Sequence, residues 1–523
     1  MRLTDTRRLG PEHEFTAAQV CVVGAGAAGV YLAHRLAEQG CSVLLLEAGG
    51  KTCVDGETLG MGLDLGASKY RGATLGRAFG LGGTTSRWGG QLVAYSESDL
   101  IRHDPAVRAT WQHIVATVQR HAARVREVLG VGVDGPSSAS PSGPFRALEA
   151  RVQDLGLTVL ASHWLPFHQR NLSRLLRASY PRSGHIEVLL NAVARSWVVS
   201  PDAAQGTRVT TVTIRSNGRD FQLRALHFVI AAGTIESARI LLEIQSAAPT
   251  NPFGCRSRIG QGLTDHLSSA IAEVPASSRS AVIEAFGPRF ASGHMQSARL
   301  LESAPPPESA RGFFHFIFDI DNAGFHVARK AFAGLQARRL PDVSGRELVR
   351  GASGLGALAW DRYVGRKLHV PADTPVHLQL DIEQVPSSHS GVCLGKALDA
   401  FGRPVVEVDW SVSDTDIQQV SHATQRFVRA WAERGAQLPE LAFHPHARPG
   451  ELKPHDAYHP VGVCRLGSDE NAVVDPELRV RGTSNLWVLS TGIFPTAGTA
   501  NPAFSMLCMG EELASRLARA VAP

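Results

Sequence analysis

The sequence predicts an α/β protein with two joined domains, one on a parallel sheet that carries a β-meander and one on an antiparallel sheet. Three observations support this prediction. Residues 18–48 read as strand, helix and strand, which is how a parallel sheet begins. Residues 186–231 contain alternating apolar and polar segments separated by turn signals such as Asn217-Gly218, as in a β-meander. After residue 268, strand-like pieces alternate with proline-rich loops, which indicates a second domain.

The composition limits the class of protein. A chain of 523 residues that is 44% hydrophobic can bury a large core and fits two domains. The formal net charge is +5, but the basic residues are spread along the sequence without a stripe interleaved with aromatics, so we expect no nucleic-acid binding. No run of about 18 apolar residues is present, so we expect no membrane span.

Cysteine and histidine usage argues against disulfides and metals. The seven cysteines are scattered and form no Cys-x-x-Cys pair, which indicates a reducing compartment. His444, His446, His455 and His459 lie close together in sequence, but their spacing does not place two ligands on one helical face, so we predict no metal site. Because no export signal is recognisable either, we expect a cytoplasmic protein.

The glycines after the first strand predict a dinucleotide site. Gly24, Gly26 and Gly29 follow the apolar run 20–23 and open a helix, which is the context of the G-x-G-x-x-G fingerprint in a Rossmann-like domain. The first glycine permits a tight turn, the second permits approach of a pyrophosphate beside Ala27 and Ala28 at the helix start, and the third permits packing of helix on strand. Glu47 ends the next strand, where an acid binds ribose hydroxyls. This motif does not separate FAD from NAD.

Two further glycine-rich segments favour FAD. Residues 80–90 form a loop that could bring backbone against a flat ring system, and its candidate contacts are Gly82, Gly83, Thr84, Thr85, Trp88 and Gly89. Residues 231–239 read as strand, turn and helix, with Ala232 and Gly233 at the turn. No second G-x-G-x-x-G is present for a separate nicotinamide.

These segments, together with 259–266, 459–467 and 485–509, resemble the glucose-methanol-choline (GMC) family of FAD-dependent oxidoreductases. The resemblance spans the flavin domain and the frame of the substrate domain, whereas residues 268–375 match no pattern of that family. The ending 494–502 is similar to the branch of pyranose oxidases and glucoside dehydrogenases. The resemblance also implies FAD contacts from Val193, Gly492, Asn501 and Pro502.

Two departures from the family pattern concern the flavin. Arg87 stands where pyranose oxidases of this branch carry the histidine that attaches the flavin, so the resemblance implies non-covalent FAD. Ser490 stands where many members carry an aspartate, which leaves the contacts of that stretch open.

The resemblance also implies a division of the chain. Residues 1–100 and 186–267 would form the FAD-binding domain, and residues 101–185 would be a helical and loop insertion. Residues 268–450 would form the substrate-binding domain, and residues 451–523 would complete the FAD domain with an active-site segment.

Two side chains near the end of the sequence are candidates for catalysis. His459 matches the active-site histidine of the family, and imidazole suits a base that takes a hydroxyl proton. Asn501 matches the second polar residue of the active site and could donate to a developing alkoxide. Asn501-Pro502 also reads as a helix N-cap, so the helix dipole could face the flavin. Asp265-His266, at the junction of the domains, is interpreted as structural or flavin-adjacent.

The predicted function is oxidation of a CH–OH group to a carbonyl by hydride transfer to flavin N5, with a small-molecule alcohol as substrate. The branch resemblance favours a sugar, glycoside, cyclic polyol or secondary alcohol of a natural product. No motif identifies the electron acceptor, which could be oxygen, a quinone or a redox protein. The alternatives are a non-redox FAD-containing lyase of the cyanohydrin type, a flavin-independent binding protein with a decayed site, and an NAD dehydrogenase.

Overall fold

A computed structural model gives the structure of the chain. It describes residues 1–101, 104–131, 143–181, 184–202, 206–248, 250–253, 258–291, 293–435, 438–443 and 453–522. His444 and His446 lie outside these residues. Among the described residues, no helix combines the length and apolar character needed to cross a membrane.

The first sheet joins a parallel layer to a meander, as the sequence predicts. Its strands, in spatial order, are Arg2–Asp5, His185–Leu190, Ser42–Glu47, Ala18–Val23, Arg219–Ile230, Gly206–Ser216 and Val193–Asp202, and Leu486–Val488 also pairs with Arg219–Ile230. The long strand Arg219–Ile230 belongs to both parts. Its first half pairs antiparallel with the meander, and its second half pairs parallel with Ala18–Val23.

The second sheet is antiparallel throughout its main path, which confirms the predicted fold class. In spatial order its strands are Ala442–Phe443, His266–Glu273, Val376–Glu383, Gly312–Phe318, His294–Glu302, Leu157–Trp164 and Gln91–Leu92, with Arg289–Ala291 and His455–Asp456 paired at its sides. A small third sheet contains Gly391–Leu398, Pro404–Asp409 and Leu63–Asp64.

The segment 101–185 holds more than the predicted helices and loops. Leu157–Trp164 pairs along its length with His294–Glu302, so this segment supplies a strand to the second sheet. Its alternating burial explains the pairing, because one face of the strand packs into the core. The division of the chain into domains stays a prediction, since the two sheets exchange segments along the sequence.

The helices of the described chain are Ala27–Glu38, Gly56–Leu59, Pro105–Leu129, Arg146–Val152, Phe167–Arg170, Thr234–Ala247, Arg279–Phe286, Ala323–Gln336, Gly345–Trp360, Asp414–Ala432 and Pro502–Ala520. Local capping residues set the bounds of two of them. Asp104 caps Pro105–Leu129, which Gly130 ends with a positive φ of 73°. Ser413 and Asp416 form the capping box that begins Asp414–Ala432.

The two ends of the chain pack against each other in the core. The last helix, Pro502–Ala520, lies on the first, Ala27–Glu38, and Glu511 of the last helix accepts hydrogen bonds from two side chains of the first. Tyr31 donates at 2.8 Å and Arg35 donates from Nε at 2.7 Å. All three side chains are buried, so this contact ties the C-terminal segment to the parallel sheet.

Candidate functional site

A cavity of about 720 Å³ lies where the two ends of the chain meet. This volume is within the range of about 300–1,000 Å³ that is usual for small-molecule and cofactor sites. The cavity is lined by sixteen of the predicted site residues: Gly24, Gly26, Ala27, Ala28, Glu47, Gly83, Thr84, Thr85, Trp88, Gly89, Val193, Ala232, Gly233, His459, Asn501 and Pro502. The structure therefore brings together residues from the first 90 and the last 70 positions of the sequence.

The other three predicted residues, Gly29, Gly82 and Gly492, lie behind the wall of the cavity rather than on it. A Cβ at Gly29 would stand 1.8 Å from the carbonyl oxygen of Gly24, so this glycine lets the helix pack on the strand. Gly82 has a φ of 100° and donates its N–H to the oxygen of Ala25 at 2.9 Å. Their contribution is to hold the lining residues in place.

Gly24 and Gly26 differ in what surrounds them. Gly24 has a φ of 104°, and a Cβ there would lie 2.6 Å from the carbonyl oxygen of Ala231. At Gly26, no described atom lies within 4 Å of the position of a Cβ. Gly26 immediately precedes the helix Ala27–Glu38. The open space therefore adjoins a helix N-terminus, whose free N–H groups favour an anion.

Glu47 is buried at the cavity wall and is held by backbone donors. Its carboxylate accepts from the N–H of Ala25 at 2.9 Å and from the N–H of Gly49 at 2.9 Å. Burial raises the pKa of Glu47 to about 7, although the backbone hydrogen bonds oppose this shift. A carboxylate fixed beside the glycine turn is suited to accept hydrogen bonds from ligand hydroxyls.

Asn501 is the N-cap of the helix Pro502–Ala520, whose N-terminus also faces the cavity. Pro502, Ala503 and Met506 of the helix Pro502–Ala520 also line it. Asn501 occupies the N-cap position, but its side chain makes no capping hydrogen bond to the described residues. Instead, the side-chain amide of Asn501 forms hydrogen bonds with other side chains. Helix capping alone therefore does not explain why an asparagine stands at this position.

The orientation of the Asn501 amide follows from its neighbours. Its Oδ1 accepts from Nη2 of Arg299, and because guanidinium only donates, the oxygen must face the arginine. The Nδ2 group then points away from Arg299, with Oε1 of Gln91 at 3.4 Å. Arg299 also donates to Gln91 at 2.9 Å, which completes a fixed triangle of side chains. Gln91 and Asn501 both line the cavity.

His459 forms a pair with His266. The Nδ1 atoms of the two rings are 3.0 Å apart, and Nε2 of His266 is 2.9 Å from the carbonyl oxygen of Gly498. A carbonyl only accepts, so His266 carries its proton on Nε2 and its Nδ1 is an acceptor. His459 must then donate from Nδ1, which leaves the lone pair on Nε2. The geometry therefore selects the tautomer of His459.

Burial keeps this pair neutral. Burial, together with the adjacent His266, lowers the pKa of His459 to about 3. Burial also lowers the pKa of His266, which has no exposed surface. Two uncharged imidazoles are what the hydrogen-bond directions require, because a protonated His266 could not accept from His459.

Asp265 holds the loop that carries His459. Its carboxylate accepts from the N–H of His459 at 2.8 and 2.9 Å, from the N–H of His266 at 2.7 Å and from the hydroxyl of Tyr70 at 2.6 Å. Tyr70 stacks on Trp410 with ring centroids 4.8 Å apart. Burial raises the pKa of Asp265 to about 7, against the effect of these hydrogen bonds. Asp265 therefore fixes the backbone of both histidines.

Arg299 is a residue of the site that sequence analysis does not select. It is 2% exposed on the strand His294–Glu302, and its guanidinium lies 3.8 Å from the ring centroid of Phe313. Burial lowers the pKa of Arg299 to about 9. Its Nε and Nη1 atoms have no hydrogen-bond partner in the described part of the chain. No local motif marks it, because it belongs to the segment that resembles no known pattern.

The described residues contain no group of three or more His, Cys, Asp or Glu side chains placed to hold a metal ion. His444 and His446 lie outside the described residues.

Comparison with known proteins finds matches to both ends of the chain. Residues 386–510 match the family model described as GMC oxidoreductase, and residues 22–79 match an NAD(P)-binding Rossmann-like domain. A 6'''-hydroxyparomomycin C oxidase of Streptomyces lividus is 23% identical, over 96% of this chain and 91% of its own length. The chain is similar to GMC oxidoreductases.

Other relatives agree with this assignment. An oxygen-dependent choline dehydrogenase of Sinorhizobium medicae is 24% identical over 96% of this chain and 95% of its own. The crystal structure of pyridoxine 4-oxidase from Mesorbium loti has the same fold, with a TM-score of 0.57 and 18% identity over 95% of this chain and 99% of that one. The chain is accordingly a flavoprotein enzyme, and its cofactor is FAD.

The cavity fits that cofactor. Two helix N-termini, at Ala27 and Pro502, suit the anionic parts of a dinucleotide. The space at Gly26 admits a ligand close to the backbone, and Glu47 offers a carboxylate beside it. The hydroxyl of Ser490 is buried at the cavity wall without a partner among the described residues, which leaves it free for a ligand.

Proposed function

We propose that this enzyme oxidises a CH–OH group of a small, polar alcohol to a carbonyl, with His459 as the base and Asn501 as the donor to the substrate oxygen. The observation that carries the proposal is the hydrogen-bonded chain from Gly498 through His266 to His459. It leaves a lone pair on an imidazole nitrogen of a residue that lines the cavity. When bound, FAD supplies the acceptor for the hydride that leaves the carbinol carbon.

His459 would take the hydroxyl proton on Nε2. The imidazolium so formed keeps its Nδ1–H bonded to Nδ1 of His266, so the ring does not have to rotate during the transfer. The low pKa of the unliganded His459 ensures that the accepting nitrogen is free before the alcohol binds. The alkoxide that forms beside it then stabilises the positive ring in a cavity of low dielectric constant.

Asn501 would stabilise the oxygen from which the proton departs. Because Arg299 fixes Oδ1, the Nδ2 group is the part of the amide that remains to donate. Its hydrogen bond to Oε1 of Gln91 is long at 3.4 Å. A fixed neutral donor of this kind stabilises a developing negative charge without reorganisation.

The substrate class follows from the family and from the relatives. The names of two relatives describe oxidation of an aminoglycoside and of choline, both hydrophilic alcohols. We propose a sugar, glycoside or other cyclic polyol, in agreement with the resemblance of residues 494–502. The electron acceptor is open, and the cytoplasmic location stays a prediction.

We further propose that FAD is bound without a covalent link. Arg87 lines the cavity in the loop 80–90, which contains no histidine. A protein denatured in acid should therefore release all its flavin into the supernatant, whereas a covalent link would leave the colour in the pellet.

The test of the function is anaerobic reduction of the purified holoenzyme by a panel of sugars, glycosides and secondary alcohols. One class of compound should bleach the flavin band near 450 nm, and His459→Ala should bind FAD normally but bleach about 10²–10⁴-fold more slowly. A His34→Ala variant, altered at a buried histidine away from the cavity, serves as control. A wild-type protein that converts a hydroxylated compound while its flavin stays oxidised would favour the lyase and contradict the proposal.

A further inference from the structure

The helices Ala323–Gln336 and Gly345–Trp360 form a hairpin in the segment that resembles no family pattern. The two helices approach closely because their contact is made by glycines. A Cβ at Gly324 would stand 2.4 Å from the carbonyl carbon of Gly354, and a Cβ at Gly351 would stand 3.1 Å from the oxygen of Ala323. The ion pair of Lys330 and Glu347 adds a link at the surface. We call residues 323–367, which include the π-helical turn Asp361–Gly365, the helical hairpin.

The outer face of the helical hairpin is apolar and exposed. Val349 is 79%, Trp360 67% and Tyr363 76% exposed, and Leu340 in the connection is 94% exposed. Residues 349, 352, 356, 360 and 363 recur at helical spacing and are all exposed, so they form one stripe along the second helix and the turn that follows it. From Gly351 to Trp360 the sequence contains no charged residue. An exposed apolar stripe of this length marks an interaction surface.

The charge of the protein is concentrated in the same segment. The helical hairpin contains nine Arg and Lys against three Asp and Glu, so its formal charge is +6, whereas that of the whole chain is +5. Eight of the nine basic residues are exposed. We expected the basic residues to be evenly spread along the sequence. In fact the net positive charge lies in the helical hairpin, and the rest of the chain is close to neutral.

We propose that the helical hairpin docks this enzyme on the surface of an anionic lipid bilayer. An exposed apolar stripe with aromatic residues, bordered by Arg and Lys, is the chemistry of a helix that lies in a membrane interface. Apolar side chains enter the headgroup region while basic side chains meet anionic lipids, each basic residue contributing a factor of about five in affinity. A second copy of the chain fits this surface less well, because two segments of charge +6 would repel each other.

The helical hairpin is held next to the cofactor cavity. Gln336 donates from its side-chain amide to the carbonyl oxygens of Thr85 at 3.0 Å and Trp88 at 2.8 Å, and both of these residues line the cavity. Phe332 stacks on Phe167 with ring centroids 4.4 Å apart. Docking would thus place the cavity of the enzyme near the bilayer.

The test is flotation of the holoenzyme with phosphatidylcholine vesicles that do or do not contain phosphatidylglycerol. The wild type should float only with anionic vesicles and should be released by salt. Arg346→Gln with Arg350→Gln should weaken binding roughly 25-fold, and Trp360→Ser with Tyr363→Ser should abolish it. Leu398→Ser and Arg2→Gln with Arg224→Gln, at exposed sites elsewhere, should have no effect.

A second measurement keeps the proposal falsifiable if a variant is unstable. Brominated anionic lipid should quench part of the tryptophan fluorescence of the wild type and less of that of Trp360→Phe. Absence of flotation with anionic vesicles overturns the proposal. So does a dimer in sedimentation equilibrium that Trp360→Ser converts to monomer, since the stripe would then be covered by a second copy. Oxidation of a soluble alcohol in the absence of vesicles reports separately on the proposed function.

Discussion

Nδ1 of His459 lies 3.0 Å from Nδ1 of His266, although the two residues are 193 positions apart in sequence. The contact determines which nitrogen of His459 carries the proton, and it makes His266 a positioning residue.

The first prediction concerns His266. His266→Gln should retain much of the activity, because the Gln amide can accept from His459 and donate to Gly498 in the manner of the imidazole. His266→Phe can do neither, and kcat should fall about 10–100-fold, as expected for the loss of a buried hydrogen bond. The measurement is single-turnover bleaching at saturating substrate. Equal loss in both variants, with FAD bound and the fold intact, would show that the side chain matters only for packing.

The second prediction concerns pH. A histidine whose pKa is lowered to about 3 remains neutral down to mildly acidic pH, so the base form of His459 is present from pH 8 to pH 5. The profile of kcat/KM should therefore show no loss through an ordinary histidine pKa near 6.5. Asp265, with a pKa of about 7, and Glu47 are the other titrating groups near the site. Measurements should use saturating FAD and include Asp265→Asn. An acid limb near 6.5 that persists in this variant contradicts the prediction.

The third prediction compares two glycines. Gly24→Ala should destabilise the apoprotein by at least about 1–2 kcal/mol, because its φ of 104° disfavours any side chain and a Cβ would meet Ala231. Gly26→Ala should leave the thermal unfolding of the apoprotein unchanged, since no described atom stands near the added methyl group. It should nevertheless weaken FAD binding by more than about tenfold, or roughly 1.4 kcal/mol. Calorimetry of the apoproteins and titration with FAD give the two readouts. Normal FAD affinity in Gly26→Ala would place the cofactor elsewhere.

The fourth prediction concerns Asn501. Asn501→Ala removes the donor and should lower kcat by about 10²–10³-fold, in the range for loss of one preorganised donor. Asn501→Asp should be no better, because a carboxylate there would pair with Arg299 and would repel the developing alkoxide. Thr499→Ala, near the same helix start, removes a hydroxyl that bonds to Asp99 instead and is the matched control. If Asn501→Ala were as active as the wild type, Asn501 would have a structural role and no role as a donor to the substrate oxygen.

The parts of the fold that sequence analysis predicts are those with local causes. The turn at Gly24 and the strands on either side of it depend on neighbouring residues, as does the cap at Ser413. The contact of His459 with His266 does not, because it depends on where two loops meet after folding. Arg299 could not be predicted as a site residue either. Its role depends on its buried contact with Asn501, which is 202 positions away in sequence. The strand Leu157–Trp164 was missed because its partner His294–Glu302 comes much later in the chain.

The buried contact of Glu511 with Tyr31 and Arg35 has a consequence for biosynthesis. The ribosome makes the glycine turn some 470 residues before it makes the wall at Asn501 and Pro502. A nascent chain therefore holds only part of the cavity during that interval and can enclose its cofactor only after the last helix has emerged from the ribosome. Polypeptides cut short before the last helix should remain colourless, so visible absorbance distinguishes finished molecules from truncated ones.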